Sequence, residues 1–360
     1  MTATIGHVLV GPPAHGVVEY GASVARELGE PTHRVVRLDG PESELPAWIG
    51  ECSLVHLHVT DRLFGDRVSA EPNYASLCAR LPVRHSVTVH DVPQPSDGSG
   101  FEARVRFYRN VIHHAAGVIV SSEHEASLLR EFTDAAVDPQ VVPLMMPRPR
   151  AEPAGVTQKP RAEPAGVIEV PRAEPAGVTG VTGVPSARVA VLGFLYPGKG
   201  HIETLRAMAD LPRSVGFVAL GTASPGHEDL IDQLRCTAAE AGRPCEVTGF
   251  LPECDMYRRL ADATVPVAFH RHLSASGSIN TWIAARRRPL VPRNAYTEEL
   301  DLRSPGVVRV HEDDVDSLRD AIAEAVRDPS STWIDADVVP RPTPSDVARE
   351  YDSILRGWQG

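Results

Sequence analysis

The chain has 360 residues, a formal net charge of -11, 42% hydrophobic residues and 23% charged residues. That length accommodates two domains, each with its own core, in the composition of an ordinary globular protein. The acidic balance argues against a nucleic-acid partner, because neutralising a phosphate backbone needs a basic face.

The five cysteines, Cys52, Cys78, Cys236, Cys245 and Cys254, are odd in number and show no Cys-x-x-Cys spacing. They read as reduced thiols of a cytoplasmic protein. Met1-Thr-Ala-Thr-Ile-Gly-His7 lacks the basic start of a signal peptide, and no apolar run is long enough to span a bilayer. Contact with the inner face of a membrane stays open. Abundant Ala, Gly, Pro, Val and Arg point to a bacterial gene rich in G and C.

Short apolar runs at Ile5–Val10, His33–Leu38, Leu54–His58, Val83–His90, Gly117–Ser121 and Gln140–Leu144 predict buried strands. Helical patterns fall between them at Val17–Leu28, Phe101–Ala115 and Glu123–Phe132. This alternation predicts a parallel sheet with helices on both faces.

The composition then changes. Pro149-Arg-Ala-Glu-Pro-Ala-Gly-Val156 recurs at Pro160–Val167 and Pro171–Val178. Proline and glycine punctuate each unit and no apolar face repeats, so neither helix nor sheet is sustainable. Arg148–Ser186 reads as an extended, solvated linker, with a docking segment as the alternative.

After it, strands are expected at Arg188–Leu192, Gly216–Leu220, Glu246–Thr248, Val265–Phe269 and Val307–Val310. Helices are expected at His201–Leu211, Glu228–Ala241, Met256–Ala261, Ser278–Ala285, Asp314–Arg327 and Ser345–Gly357. The fold class is α/β, with two Rossmann-like doubly wound domains facing across a cleft. The expected boundaries are 1–147, a linker over 148–186, a second domain over 187–344, and 345–360 as a last helix. Ligands of such sheets bind at the carboxyl ends of the strands.

Two strand-to-helix turns carry the chemistry. Gly193-Phe-Leu-Tyr-Pro-Gly-Lys199-Gly200 and Ser274-Ala-Ser276-Gly277-Ser278-Ile279-Asn280 each place small residues at a helix start. Free N–H groups and the positive end of the helix dipole make such starts anion sites. Lys199 adds a mobile point charge suited to phosphate. Gly277 allows close backbone approach, and Ser276 and Ser278 can donate or cap. Asn280 is a candidate for a ribose or sugar hydroxyl. Together the turns predict a diphosphate site.

Other polar residues have bland readings beside functional ones. His56 and His58 alternate with apolar residues and share a strand face, so they are core or cleft-lining groups before they are metal ligands. His270 and His272 precede Ser274 and are candidate sugar or acceptor contacts. Asp313-Asp314 reads as a helix cap, and Asp335-Ala-Asp337 lies far from a mid-sheet strand end. No Ser-His-Asp set and no Gly-x-Gly-x-x-Gly fingerprint is present.

In order and spacing these motifs resemble the GT-B glycosyltransferases of the family-4 type, over nearly the whole chain except the linker. Gly11-Pro-Pro-Ala-His15-Gly16, Val87-Thr-Val-His90-Asp91 and Ala115-Ala-Gly-Val-Ile-Val-Ser121 resemble the first domain's strand ends. Gly193 to Gly200, Phe217-Val-Ala-Leu-Gly221, Val247-Thr-Gly249 and Ser276-Gly277 resemble the donor domain. The final helix resembles the one that crosses back to the first domain.

The resemblance implies an enzyme that moves a sugar from a UDP- or GDP-linked donor to a hydroxyl of a glycan, lipid-linked or small-molecule acceptor. It implies retention of configuration, no metal, and no cofactor beyond the nucleotide-sugar co-substrate. His90 and Lys199 are its catalytic pair. Gly16, Gly193, Gly221, Gly249 and Ser276 to Asn280 line the donor site, and His15, Asp91, Ser274 and Glu298 are further contacts. The sequence departs from the family where two glutamates stand seven residues apart. The first position falls near Ser274 and the second on Thr281 or Trp282, and Phe194 replaces an arginine. A sugar-nucleotide-binding or scaffold protein without turnover, and a sugar-nucleotide epimerase, are the rival readings.

Overall fold

The computed structural model describes residues 3–133, 138–146, 187–270 and 275–359. The expected linker and the candidates His272 and Ser274 lie outside the described residues. The described residues form two compact units: one runs to Met146 and resumes at Arg341, and the other ends at Pro340.

The first unit begins β1 (Ile5–Val10), α1 (Gly16–Leu28), β2 (His33–Leu38), β3 (Leu54–Val59), α2 (Ala70–Arg80) and β4 (His85–Val89). It continues α3 (Phe101–His114), β5 (Val118–Val120), α4 (Glu123–Thr133) and β6 (Gln140–Val141). The second unit runs β7 (Ala187–Leu192), α5 (His201–Ala207), β8 (Val215–Leu220), α6 (Asp229–Glu240), β9 (Cys245–Val247) and α7 (Glu253–Asp262). It closes with β10 (Val265–Val267), α8 (Gly277–Ala284), β11 (Leu290–Pro292), α9 (Ala295–Arg303), β12 (Arg309–His311) and α10 (Val315–Arg327). The chain then returns to the first unit as α11 (Pro344–Gly357).

Each unit holds one parallel six-stranded sheet, ordered β2-β1-β3-β4-β5-β6 in the first and β12-β11-β10-β7-β8-β9 in the second. All six residues of β1, β3 and β8 are buried, as expected of parallel strands covered on both faces.

The two faces of the first sheet differ. Val8, Val55, Leu57, Val59, Val87 and Val89 pack with α2, α3 and α4 side chains into an apolar core. The alternate positions carry His7, His56 and His58, all fully buried or nearly so. Register explains their partners: His56 lies opposite Ser86, and His58 opposite Thr88. The His56 Nδ1 meets the Ser86 hydroxyl at 2.9 Å and its Nε2 the Thr88 hydroxyl at 2.8 Å.

Helix α11 completes this face. Val347, Tyr351 and Leu355 pack with Ile5, Val24, Leu54 and Ile119, each such side chain contributing about 1.5–3 kcal/mol of burial. Tyr351 adds a 2.9 Å hydrogen bond to Thr88. At Gly117 a Cβ would stand 2.2 Å from the Trp358 ring, so no other residue lets the ring close there.

Several elements depart from the expectations. Helix α2 was not foreseen, because Pro72 reads as a breaker and only Tyr74 and Leu77 face inward beyond its first residue. Pro72 sits in the first turn, where a missing N–H leaves no hydrogen bond unmade. Helix α9 hides in a polar run and is secured by a capping box between Asn294 and Thr297. Strand β11 is only three residues long. Helix α5 ends at Ala207 rather than Leu211, since the next turn tightens ahead of Pro212. The last strand is Arg309–His311, shifted from Val307–Val310: Val308 is buried but its carbonyl accepts from Arg288 Nε.

Candidate functional site

In the second unit, β7 ends in a loop that returns Lys199 to the sheet. Gly193 has φ 115° there, and a Cβ on it would stand 3.1 Å from Lys199 Cε and 3.3 Å from Nζ. Gly200 (φ 91°) caps α5, and a Cβ on it would come within 2.1 Å of the Phe269 carbonyl oxygen. Both glycines are therefore demanded by close approach.

Lys199 is 7% exposed, and Nζ donates to Ser278 Oγ at 2.9 Å. Its Nζ also stands 5.9 Å from the centre of the Tyr196 ring. Burial pushes the lysine down to about 7. No carboxylate pairs with it among the described residues.

Ser278 belongs to the first turn of α8. Ser276 is the N-cap, and its Oγ accepts from Ile279 N–H at 3.2 Å. The Ile279 N–H is engaged by this cap, and its side chain is fully buried. The N–H groups of Gly277 and Ser278 keep no protein acceptor among the described residues. The two serine hydroxyls lie 3.1 Å apart. A Cβ on Gly277 would meet nothing within 4 Å, so open space adjoins this helix start.

Asn280 is 4% exposed with Oδ1 unpartnered, and His270 is 4% exposed with Nε2 unpartnered. Burial, then Lys199 and His201, hold His270 well below the usual histidine value. His201, missed in the sequence reading, is also buried with Nε2 unpartnered; its place after Gly200 was the only signal. Gly221 (φ 156°) packs against the Gly193 carbonyl, where a Cβ would come to 2.2 Å. Gly249 (φ 71°) faces open space. Thr281 bonds its own helix at Gly277 O, 2.8 Å away, and Trp282 is fully buried. Neither supplies a carboxylate. Glu298 is engaged by Arg293 at 3.0 Å on the exposed first turn of α9.

In the first unit, His90 follows β4 and Asp91 adopts φ 55°, a turn open to aspartate. Tyr108 donates to the carbonyls of both residues. Arg104 holds the turn through Asp91 at 3.0 Å, Asp61 at 3.3 Å and Asp97 at 2.6 Å. Nothing in the sequence pattern marked this arginine. His90 is 7% exposed, and burial, with His15 next, lowers it to about 3. Its Nε2 lies 3.2 Å from His58 Nδ1. His15 is the N-cap of α1, its Nδ1 accepting from Val17 N–H at 3.3 Å. Gly16 opens that helix with free space around its Cα. No group of three or more His, Cys, Asp or Glu side chains among the described residues could hold a metal ion. No described helix is long and apolar enough to cross a membrane.

No family model matches the sequence, and no curated protein matches it. The structure is similar to solved ones. Anabaena HepE in complex with UDP-glucose matches with a TM-score of 0.71 at 13% identity, over 98% of this chain and 99% of that one. Sucrose-phosphate synthase from Thermosynechococcus elongatus matches with 0.62 at 14% identity, over 99% and 96%. A glycosyltransferase from Rickettsia africae matches with 0.62 at 10% identity, over 99% of each chain. The fold is GT-B, built from two Rossmann-like units.

Proposed function

We propose that this chain of GT-B fold is a glycosyltransferase that moves a sugar from a nucleoside-diphosphate sugar to an acceptor hydroxyl. One observation carries the reading: a buried lysine amine, with no carboxylate partner among the described residues, stands 2.9 Å from a hydroxyl on the first turn of α8. Beside it, at the positive end of a helix, are two backbone N–H groups with no acceptor among the described residues, and a Cβ on Gly277 would meet nothing within 4 Å. That set fits a diphosphate.

When the sugar–phosphate bond breaks, negative charge grows on the departing diphosphate. Lys199 and the Gly277 and Ser278 amides stabilise that charge. The acceptor oxygen bonds to the anomeric carbon as the phosphate oxygen leaves. The acceptor's proton goes to the leaving phosphate, which suits retention and asks for no carboxylate base and no metal. His90 offers a hydrogen bond to a substrate hydroxyl. UDP and GDP are both candidate carriers, and the UDP and UDP-glucose of the HepE structures make UDP the first probe. The acceptor is a glycan, a lipid-linked sugar or a small molecule.

A second reading keeps binding and drops turnover. It is favoured by Thr281 and Trp282, which leave the expected glutamate position without a carboxylate. The test is calorimetry with UDP and GDP, followed by diphosphate release from their sugars with candidate acceptors. Release supports transfer. Binding without release from any donor–acceptor pair supports the second reading, and no binding overturns both.

A further inference from the structure

His90 reaches substrate through one ring nitrogen only. Its Nε2 is taken by His58 Nδ1 at 3.2 Å, across rings stacked 23° apart with centroids at 5.5 Å. Its Nδ1 has no partner among the described residues and is not among their sealed polar atoms. The chemistry His90 performs thus depends on which of the two rings supplies the hydrogen between them.

The surroundings of His58 decide this. His58 is 1% exposed, and its Nε2 is sealed without a partner. Helix α1 lies directly on this ring: a Cβ at Gly21 would come to 2.7 Å from His58 Cδ2. The rings of His56, Tyr20 and Tyr351 surround it at 5.1, 5.7 and 6.1 Å. If His90 donated from Nε2, then His58 would need its hydrogen on Nε2, leaving a buried N–H with no acceptor. If His58 donates from Nδ1, the sealed Nε2 is a bare acceptor. Orphaned buried donors are the rarer and costlier case. Protonating both rings would put two charges in an interior that holds each of them neutral, by burial first.

We propose that His58 is a positioning residue that locks His90 into the tautomer carrying hydrogen on Nδ1, so that His90 meets substrate as a hydrogen-bond donor and not as a base. This rests on the glycosyltransferase reading for the identity of the substrate oxygen. A neutral imidazole with its outward nitrogen protonated cannot accept the acceptor's proton. It can only donate to a lone pair, on a sugar hydroxyl or a phosphoryl oxygen. The proton released in transfer therefore does not leave on the outward nitrogen of His90. The alternation of His56 and His58 in the sequence shows that they share a face; the strand order places His58 opposite Thr88 and next to His90.

The test is the tautomeric state of His90 in full-length protein labelled with 15N-histidine, read from two-bond proton–nitrogen couplings near pH 7. The His90→Gln spectrum assigns the signals. The expected result is hydrogen on Nδ1 of both His90 and His58. His58→Asn keeps an N–H where the histidine Nδ1 stood and preserves the His90 pattern. His58→Asp puts an acceptor there instead and shifts His90 toward hydrogen on Nε2. Hydrogen on Nε2 of His90 in the unaltered protein, or an unchanged His90 pattern in His58→Asp, overturns the proposal. UDP is titrated into the same sample. Failure to bind UDP overturns the functional reading and leaves the tautomer result to decide this proposal separately.

Discussion

Lys199 and Ser278 are 79 residues apart in sequence and joined by a 2.9 Å hydrogen bond. The bond ties the loop after β7 to the first turn of α8, so the lysine amine stands beside the start of that helix, where the proposed diphosphate would bind. Lys199→Ala should weaken UDP binding by roughly 10- to 100-fold, the worth of a charge-assisted hydrogen bond of about 1.5–3 kcal/mol. Calorimetry reads this directly. Equal affinity in the variant at low and moderate salt would remove Lys199 from the site.

The same lysine makes binding depend on pH. Burial holds it at about 7 in the empty site, so near neutrality about half the molecules carry the charge. A bound diphosphate favours the charged form, and binding draws in a proton. Affinity should be highest below about pH 7 and should fall by up to about tenfold per pH unit above it. UDP titrations across the range from about pH 6.5 to about 8.5 check this; a flat profile would contradict it.

Two glycines of the site should respond in opposite ways. Gly200→Ala drives a Cβ to 2.1 Å from the Phe269 carbonyl at a left-handed φ of 91°, so it should lower the unfolding midpoint and release the Lys199 loop. Gly277→Ala meets nothing within 4 Å. It should leave stability unchanged or raise it by up to about 1 kcal/mol, while weakening UDP binding by crowding the free amides. Urea unfolding and calorimetry on both variants decide the matter. Unaltered UDP affinity in Gly277→Ala would argue against close phosphate approach.

The buried histidines predict acid sensitivity. His7, His90 and His201 are held at about 3 and His85 at about 4, in each case by burial first. In the unfolded chain these rings titrate near 6.5. Their folded values are depressed, so their stabilising contribution is complete above about pH 6.5 and is lost as pH falls toward 3–4. Each ring accounts for at most about 1.4 kcal/mol per pH unit. Urea unfolding at about pH 7 and about pH 5 should show a marked loss at the lower value, and His85→Leu should reduce that loss. Equal stability at both would refute the assignment.

Much of this was readable beforehand, for physical reasons. Parallel strands covered on both faces are largely continuous apolar runs, so β1 falls where the pattern puts it. The sequence pattern at the two turns, glycine, serine and lysine at a strand end, anticipates the approach of Lys199 to the first turn of α8. What escaped depends on strand order. Residue alternation gives His56 and His58 a common face, but only the β3–β4 pairing brings His58 to His90. The Arg104 hub escaped because its aspartates come from two connections, Asp61 from β3–α2 and Asp91 and Asp97 from β4–α3, which only the fold brings together. A serine before a helix signals an anion site and a cap alike, and Ser276 caps α8 through the Ile279 N–H.

The return of α11 to the first unit sets an order of events during synthesis. Tyr351 and Trp358 cover the histidine face and Gly117, yet they leave the ribosome after the whole second unit. Domains ordinarily fold as they emerge, the amino-terminal one first. Here the earliest strands must wait, one side uncovered, until every strand of the second unit has been translated, so the nascent chain finishes its second half before its first.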